Sequence, residues 1–306
     1  MPDPVPRSDG ELGRGRGQNY NERDGPFEQV GERMRATGPG RVATFIPASP
    51  VRVLVLAHGF PWPDGSKSDG DLAQYADAAV KRWTAFAEAY RAVLVAPAFG
   101  GRDFGGYRAL FGRRIDADDF VNAMVDEIGG KHIPDFSGRF SLHGHSAGAQ
   151  FAARYLVTHP ERLEAVVLSA PGAYPWPDPA LPWPNGMAPV VRDELSGSAA
   201  GGKDPGQAAG SVFAPRQAGW LDAASDVFVT VLVGSRDTDT QPAEPGQQGS
   251  TRVERAIEWV SSMHRHARAS GRTPAIQLIQ AEGLDHDEAA MATPAQEILA
   301  LKWDSS

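Results

Sequence analysis

Residues Gly144–Gly148 read G-H-S-A-G, the G-x-S-x-G spacing of a nucleophile elbow. In such an elbow the serine sits on a strained turn between a strand and a helix. Bulk two residues to either side would strike neighbouring backbone, which suits Gly144 and Gly148. An apolar stretch with Phe140 and Leu142 precedes the turn, and helix-forming residues Ala149–Leu156 follow it. A helix starting beside Ser146 also points positive potential at any anion forming there. The chemistry this suggests is acyl transfer with Ser146 as nucleophile.

A serine hydroxyl is a weak nucleophile and needs a base oriented by a carboxylate. On this type of scaffold the chain order is Ser, then acid, then His. GSRDTDT (Gly234–Thr240) offers Asp237 and Asp239, and Asp237 is preferred because it lies nearer the end of an apolar run. EGLDHDEA (Glu282–Ala289) offers His286. The chain has eight histidines. His58, His132, His143, His145 and His159 come before or beside the elbow, and His264 and His266 fall within a helical pattern. Only His286 follows both serine and acid in a loop past a strand. Its bland reading is a capping cluster with Asp285 and Asp287. An oxyanion needs two backbone N–H donors. Ala147 supplies one and Phe60, in the loop AHGFPWP (Ala57–Pro63), the other; Pro61 has no N–H to give.

Six short apolar runs must carry these loops: Val51–Gly59, Arg91–Gly100, Arg139–Gly148, Leu163–Gly172, Val227–Asp237 and Pro274–His286. Their continuous Val/Leu/Ile content predicts strands covered on both faces. Helical patterns lie between most of them, at Asp71–Tyr90, Asp116–Ile128, Ala147–Thr158, Arg252–Ala269 and Asp287–Lys302. Strand and helix in alternation predict an α/β fold, a mostly parallel sheet with helices on both faces, and ligands at the strand C-termini. Residues 1–25, with a GRGRG run at Gly13–Gly17, read as a flexible tail before one domain over 26–306.

The segment 174–221 breaks the rhythm with many Pro and Gly and with Trp176, Trp183 and Trp220. It reads as an irregular, lid-like insertion without a ladder. Trp62, Phe99, His145, Trp176 and Trp183 are candidates to line a substrate pocket; the alternative for the tryptophans is a satellite core.

A net charge of −8 at pH 7 argues against nucleic acid as a partner. With no cysteine there is no disulfide, thiolate nucleophile or Cys-based zinc site. No cluster has metal-ligand spacing; Asp116, Asp118 and Asp119 read as a helix start. No apolar run is long enough to span a membrane, and the N-terminal residues lack a signal-peptide core, so the expected location is cytoplasmic.

Taken together, HGF at His58–Phe60, GHSAG, GSRD at Gly234–Asp237 and His286 resemble the α/β-hydrolase superfamily across residues of about 50–300. The stretch VLVGSRDTDT, followed by QQGSTRVERA, is similar to the acid loop of bacterial esterases and lipase-like members related to polyhydroxyalkanoate depolymerases. The resemblance implies the α/β-hydrolase fold, a small-molecule or polymer ester as substrate, a Ser146–Asp237–His286 triad and no cofactor. Amidase, thioesterase or perhydrolase chemistry on the same triad, or a non-catalytic binding module, are the alternatives.

Overall fold

Runs of β-branched and aliphatic residues form the centre of the sheet because both of its faces are covered. In this computed structural model the described residues are 27–30, 33–36, 42–59, 69–100, 104–111, 115–191, 212–215, 222–223 and 225–305. The tail 1–25, Phe60, Trp62, Trp220 and the run Ser196–Ser211 lie outside them.

Strands β4 (Arg52–Ala57), β5 (Ala92–Pro97), β6 (Phe140–His145), β7 (Leu163–Ser169) and β10 (Phe228–Gly234) are buried along almost their whole length. Strand β11 (Ile276–Ala281), at the sheet edge, alternates between covered and open positions. The six pair in parallel in the order β5-β4-β6-β7-β10-β11. Their two-residue period sends Val53, Val55, Val229 and Val231 into one core and Leu54, Leu56 and Leu232 into the other. Helices α2 (Ala117–His132), α3 (Ala147–Thr158) and α4 (Arg252–Ala269) cover the first face. Helices α1 (Asp69–Tyr90) and α5 (Glu288–Asp304) cover the second, with Trp83 and Trp303 in its core. Each fully buried Val or Leu contributes roughly 1.5–3 kcal/mol.

Three strands extend the sheet beyond the sequence expectation. β1 (Phe27–Val30), β2 (Arg33–Ala36) and β3 (Val42–Phe45) form an antiparallel flank that joins β5. They have only four residues each, and FEQV and RMRA carry too little apolar pattern to declare themselves.

The insertion also differs from the expectation of a ladder-free backbone. β8 (Val190–Val191) pairs antiparallel with β9 (Val212–Phe213). Before them, Trp183 donates its indole N–H to the Ala109 carbonyl at 3.0 Å and packs 5.2 Å from the Phe213 ring. The buried Arg154 of α3 donates to the Pro184 carbonyl at 2.9 Å and the Arg108 carbonyl at 2.9 Å. The described start of the insertion is thus fastened to the body of the domain. Among the described residues, no helix is long and apolar enough to cross a membrane.

Candidate active site

The C-terminal ends of β6, β10 and β11 bring three side chains into line. Ser146 lies between β6 and α3 at φ 54° and ψ −113°, a backbone region costly for any side chain. Its neighbours make that turn possible. A Cβ on Gly144 would lie 2.3 Å from the Gly148 carbonyl oxygen, and one on Gly148 would lie 2.0 Å from the Ala57 carbonyl oxygen. The chain can cross β4 this closely only without side chains there. The Ser146 N–H is tied to the Ser169 carbonyl at 2.8 Å.

Asp237 lies in the turn after β10, and His286 in the loop between β11 and α5. Those loops are stitched together. Ser235 N–H donates to Ala281 O at 3.0 Å and Arg236 N–H to Leu284 O at 2.8 Å. Gly283 N–H donates to Ser235 Oγ at 2.9 Å. The close approach needs Gly234, where a Cβ would be 2.4 Å from the Leu284 carbonyl oxygen. Asp287 then caps α5 by accepting from Ala290 N–H at 2.7 Å, fixing the residue next to His286.

In this frame His286 Nδ1 donates to Asp237 Oδ2 at 2.9 Å. Nε2 is left to accept the Ser146 hydroxyl, also at 2.9 Å. The Asp237 side chain is 1 % exposed, and its second oxygen, Oδ1, accepts from Arg252 Nη1 at 2.7 Å. Burial pushes the Asp237 carboxyl up, but the His286 hydrogen bond and the Arg252 charge outweigh it and hold the carboxyl below its ordinary value. Asp239 is exposed.

Ala147 opens α3, so its N–H has no acceptor within the helix. The other candidate donor, Phe60, lies outside the described residues. The preceding Gly59 sits beside the serine, with its Cβ position 3.4 Å from Ser146 Cβ.

The proposed pocket residues are placed less uniformly. His145 is buried, with its ring 4.9 Å from that of His286 and its Nδ1 3.3 Å from Ser169 Oγ. Burial, then the charge of His286, keeps it neutral by pushing it well below the ordinary imidazole value. Phe99 is fully buried in an aromatic cluster, stacked on Tyr107 at 4.9 Å. Trp176 and Trp183 are buried in the core shared with α3 and α4. Trp62 lies outside the described residues. Among the described residues no group of three His, Asp or Glu is arranged to hold a metal ion.

Sequence reasoning passed over Arg252. Its signal is a cation at the first position of a helix whose N-terminus is already positive, an unfavourable place unless an anion faces it.

No protein-family model matches the sequence, and a search of curated proteins finds no match. Solved structures do match. A poly(aspartic acid) hydrolase-1 from Sphingomonas sp. KT-1 superposes with a TM-score of 0.64 at 22% identity, over 87% of this chain and 96% of that one. A poly(3-hydroxybutyrate) depolymerase from Bordetella parapertussis gives 0.61 at 22% identity, over 88% and 84%. A fluorophosphonate-binding serine hydrolase from Staphylococcus aureus gives 0.53 at 12% identity, over 91% and 99%. Sheet order, helix placement and these superpositions agree that the chain has the α/β-hydrolase fold.

Proposed function

We propose that this protein is a serine hydrolase that cleaves carboxylic esters through an acyl-enzyme on Ser146. The observation that carries the reading is the unbroken hydrogen-bond line Ser146–His286–Asp237 at a strained strand-to-helix turn.

In this reading Ser146 Oγ attacks the ester carbonyl carbon while His286 Nε2 takes the hydroxyl proton. Asp237 holds the imidazole and stabilises the imidazolium. The oxyanion is met by the Ala147 N–H and by the loop after β4, for which the sequence offers the Phe60 N–H. When the tetrahedral intermediate collapses, the alkoxide leaves with the proton from His286. A water, deprotonated by the same nitrogen, attacks the acyl carbon; the C–Oγ bond breaks, Ser146 Oγ takes back the proton from His286, and the carboxylic acid departs. No cofactor enters these steps.

The described start of the insertion, residues 174–191, is read as a lip beside Ser146. Its first residues leave β7 at the same sheet edge, and Tyr174 is close enough to Asp237 to feel its charge. One of the structures reported above is named as a poly(3-hydroxybutyrate) depolymerase, which supports testing a polyester beside small esters.

The test is a panel of p-nitrophenyl esters of rising acyl length together with poly(3-hydroxybutyrate), run on the protein and on Ser146→Ala. Turnover of at least one ester, lost in the variant, is expected. Equal turnover by both proteins would refute the reading. Labelling by a fluorophosphonate without turnover of any ester would move the substrate to an amide or thioester.

A further inference from the structure

We infer that Arg252 is a positioning residue for the triad, holding the Asp237 carboxylate in the rotamer that faces His286 and partly offsetting its charge. The inference rests on the serine hydrolase reading above and adds a fourth member to its machinery.

The carboxylate is gripped from both ends. Oδ2 faces His286 Nδ1 at 2.9 Å and Oδ1 faces Arg252 Nη1 at 2.7 Å. Without the second contact the carboxyl group is free to turn about its last bond, and the oxygen facing His286 is no longer defined. The grip is itself fixed. Arg252 is the first residue of α4, whose N-terminus is closed by a capping box: Glu254 N–H to Thr251 Oγ1 at 3.2 Å, and Thr251 N–H to Glu254 Oε2 at 3.2 Å. A bridge between Thr240 and Thr251, with Gln241 N–H donating to Ser250 O at 2.7 Å, ties the helix start to the loop that carries Asp237. The arginine side chain is 15 % exposed, so its charge acts through a poorly solvated path. A cation at this position opposes the helix dipole, a cost that Asp237 offsets.

The charge has a functional consequence. With Asp237 ionised and His286 neutral, the pair has a net negative charge and attracts a proton. The Arg252 cation, 2.7 Å from Asp237 Oδ1, reduces that attraction. Wherever the proton sits on the pair, removing the cation makes it harder to remove. Other titratable groups lie near the pair. His145, at the end of β6, is held neutral by burial. Tyr174, after β7, is held protonated by burial and by the Asp237 charge. Asp285 and Asp287 flank His286, and Glu288 opens α5. Two further cations lie nearby: Arg82 of α1 pairs with Glu288 at 3.5 Å, and Arg255 of α4 donates to the Gly172 and Pro242 carbonyls, so of these three arginines only Arg252 bonds the Asp237 carboxylate.

The experiment is the pH profile of kcat/KM for the protein, Arg252→Met and Arg252→Lys, each normalised by titrating active sites with a fluorophosphonate. For Arg252→Met we expect the acidic limb to move up by about half to one pH unit, and the plateau to fall about tenfold from lost orientation. Arg252→Lys, which keeps the charge at a single contact point, should return the limb and recover part of the plateau. A normalised Met profile that superposes on the wild type, or a Lys variant no better than Met, would overturn the inference. Failure of the wild-type protein to take up the phosphonate at Ser146 would instead overturn the hydrolase reading.

Discussion

The two ends of the parallel strands differ in character. At the N-terminal end a groove of about 1020 Å³ is lined by Arg52, Glu164, Gln277, Leu301 and Trp303. Its features are those of an ordinary surface: Leu301 is 71% exposed, and the Arg52 guanidinium lies 4.8 Å from the Trp303 ring. At the C-terminal end the loops hold a strained serine, an imidazole and a carboxylate that is 1 % exposed, all in contact. That groove is remote from the triad. What separates the two regions is the cost of assembly. At the groove burial pushes the Arg52 guanidinium below its ordinary value, offset in part by nearby carboxylates, whereas the other edge combines a strained φ, close backbone crossings and a carboxylate that is 1 % exposed, which persist only where the surroundings hold them.

That contrast can be broken by mutation. Ser146→Ala should lower ester turnover by roughly 10⁵- to 10⁶-fold with the fold intact, leaving what the oxyanion donors alone supply. Asp237→Asn should cost somewhat less, on the order of 10³- to 10⁴-fold in kcat, because the imidazole loses its orienting acceptor. Asp239→Asn, at an exposed position, should leave kcat within a few-fold, and the reverse ranking would move the acid to Asp239. Trp183→Ala is expected to act on stability: its ring is 1% exposed, so a loss of about 3–5 kcal/mol should appear in thermal unfolding. The remaining folded enzyme should keep its relative preference across acyl lengths. A change in that preference without loss of stability would put Trp183 in the pocket. The smallest effect is expected at the groove. Leu301→Glu should change stability by about 0.5 kcal/mol or less and leave kcat/KM unchanged. A selective loss of turnover there would erase the distinction between the two ends.

The parts legible in the sequence were those dictated by local sterics. Gly144 and Gly148 are spaced as they are because backbone passes within 2.0–2.3 Å of where their Cβ atoms would be, so the elbow leaves a five-residue mark. The central strands declare themselves because burial on both faces forces an unbroken apolar run. Chain order alone pairs Asp237 with His286, since consecutive parallel strands deliver their loops to one edge. The hidden parts depend on tertiary partners. β1–β3 are short and are strands because β5 offers them an edge. Arg252 meets Asp237 from fifteen positions further along the chain, a spacing that no periodicity records. A tryptophan fits a pocket wall or a core equally well by type, and Trp183 is buried because Ala109 and Phe213 happen to meet it.

The most direct test of the account is mass spectrometry of the protein after exposure to a fluorophosphonate. The account predicts one adduct per chain, mapped to the peptide carrying Ser146 and absent from Ser146→Ala. An unlabelled protein, or an adduct that persists in Ser146→Ala, would contradict it.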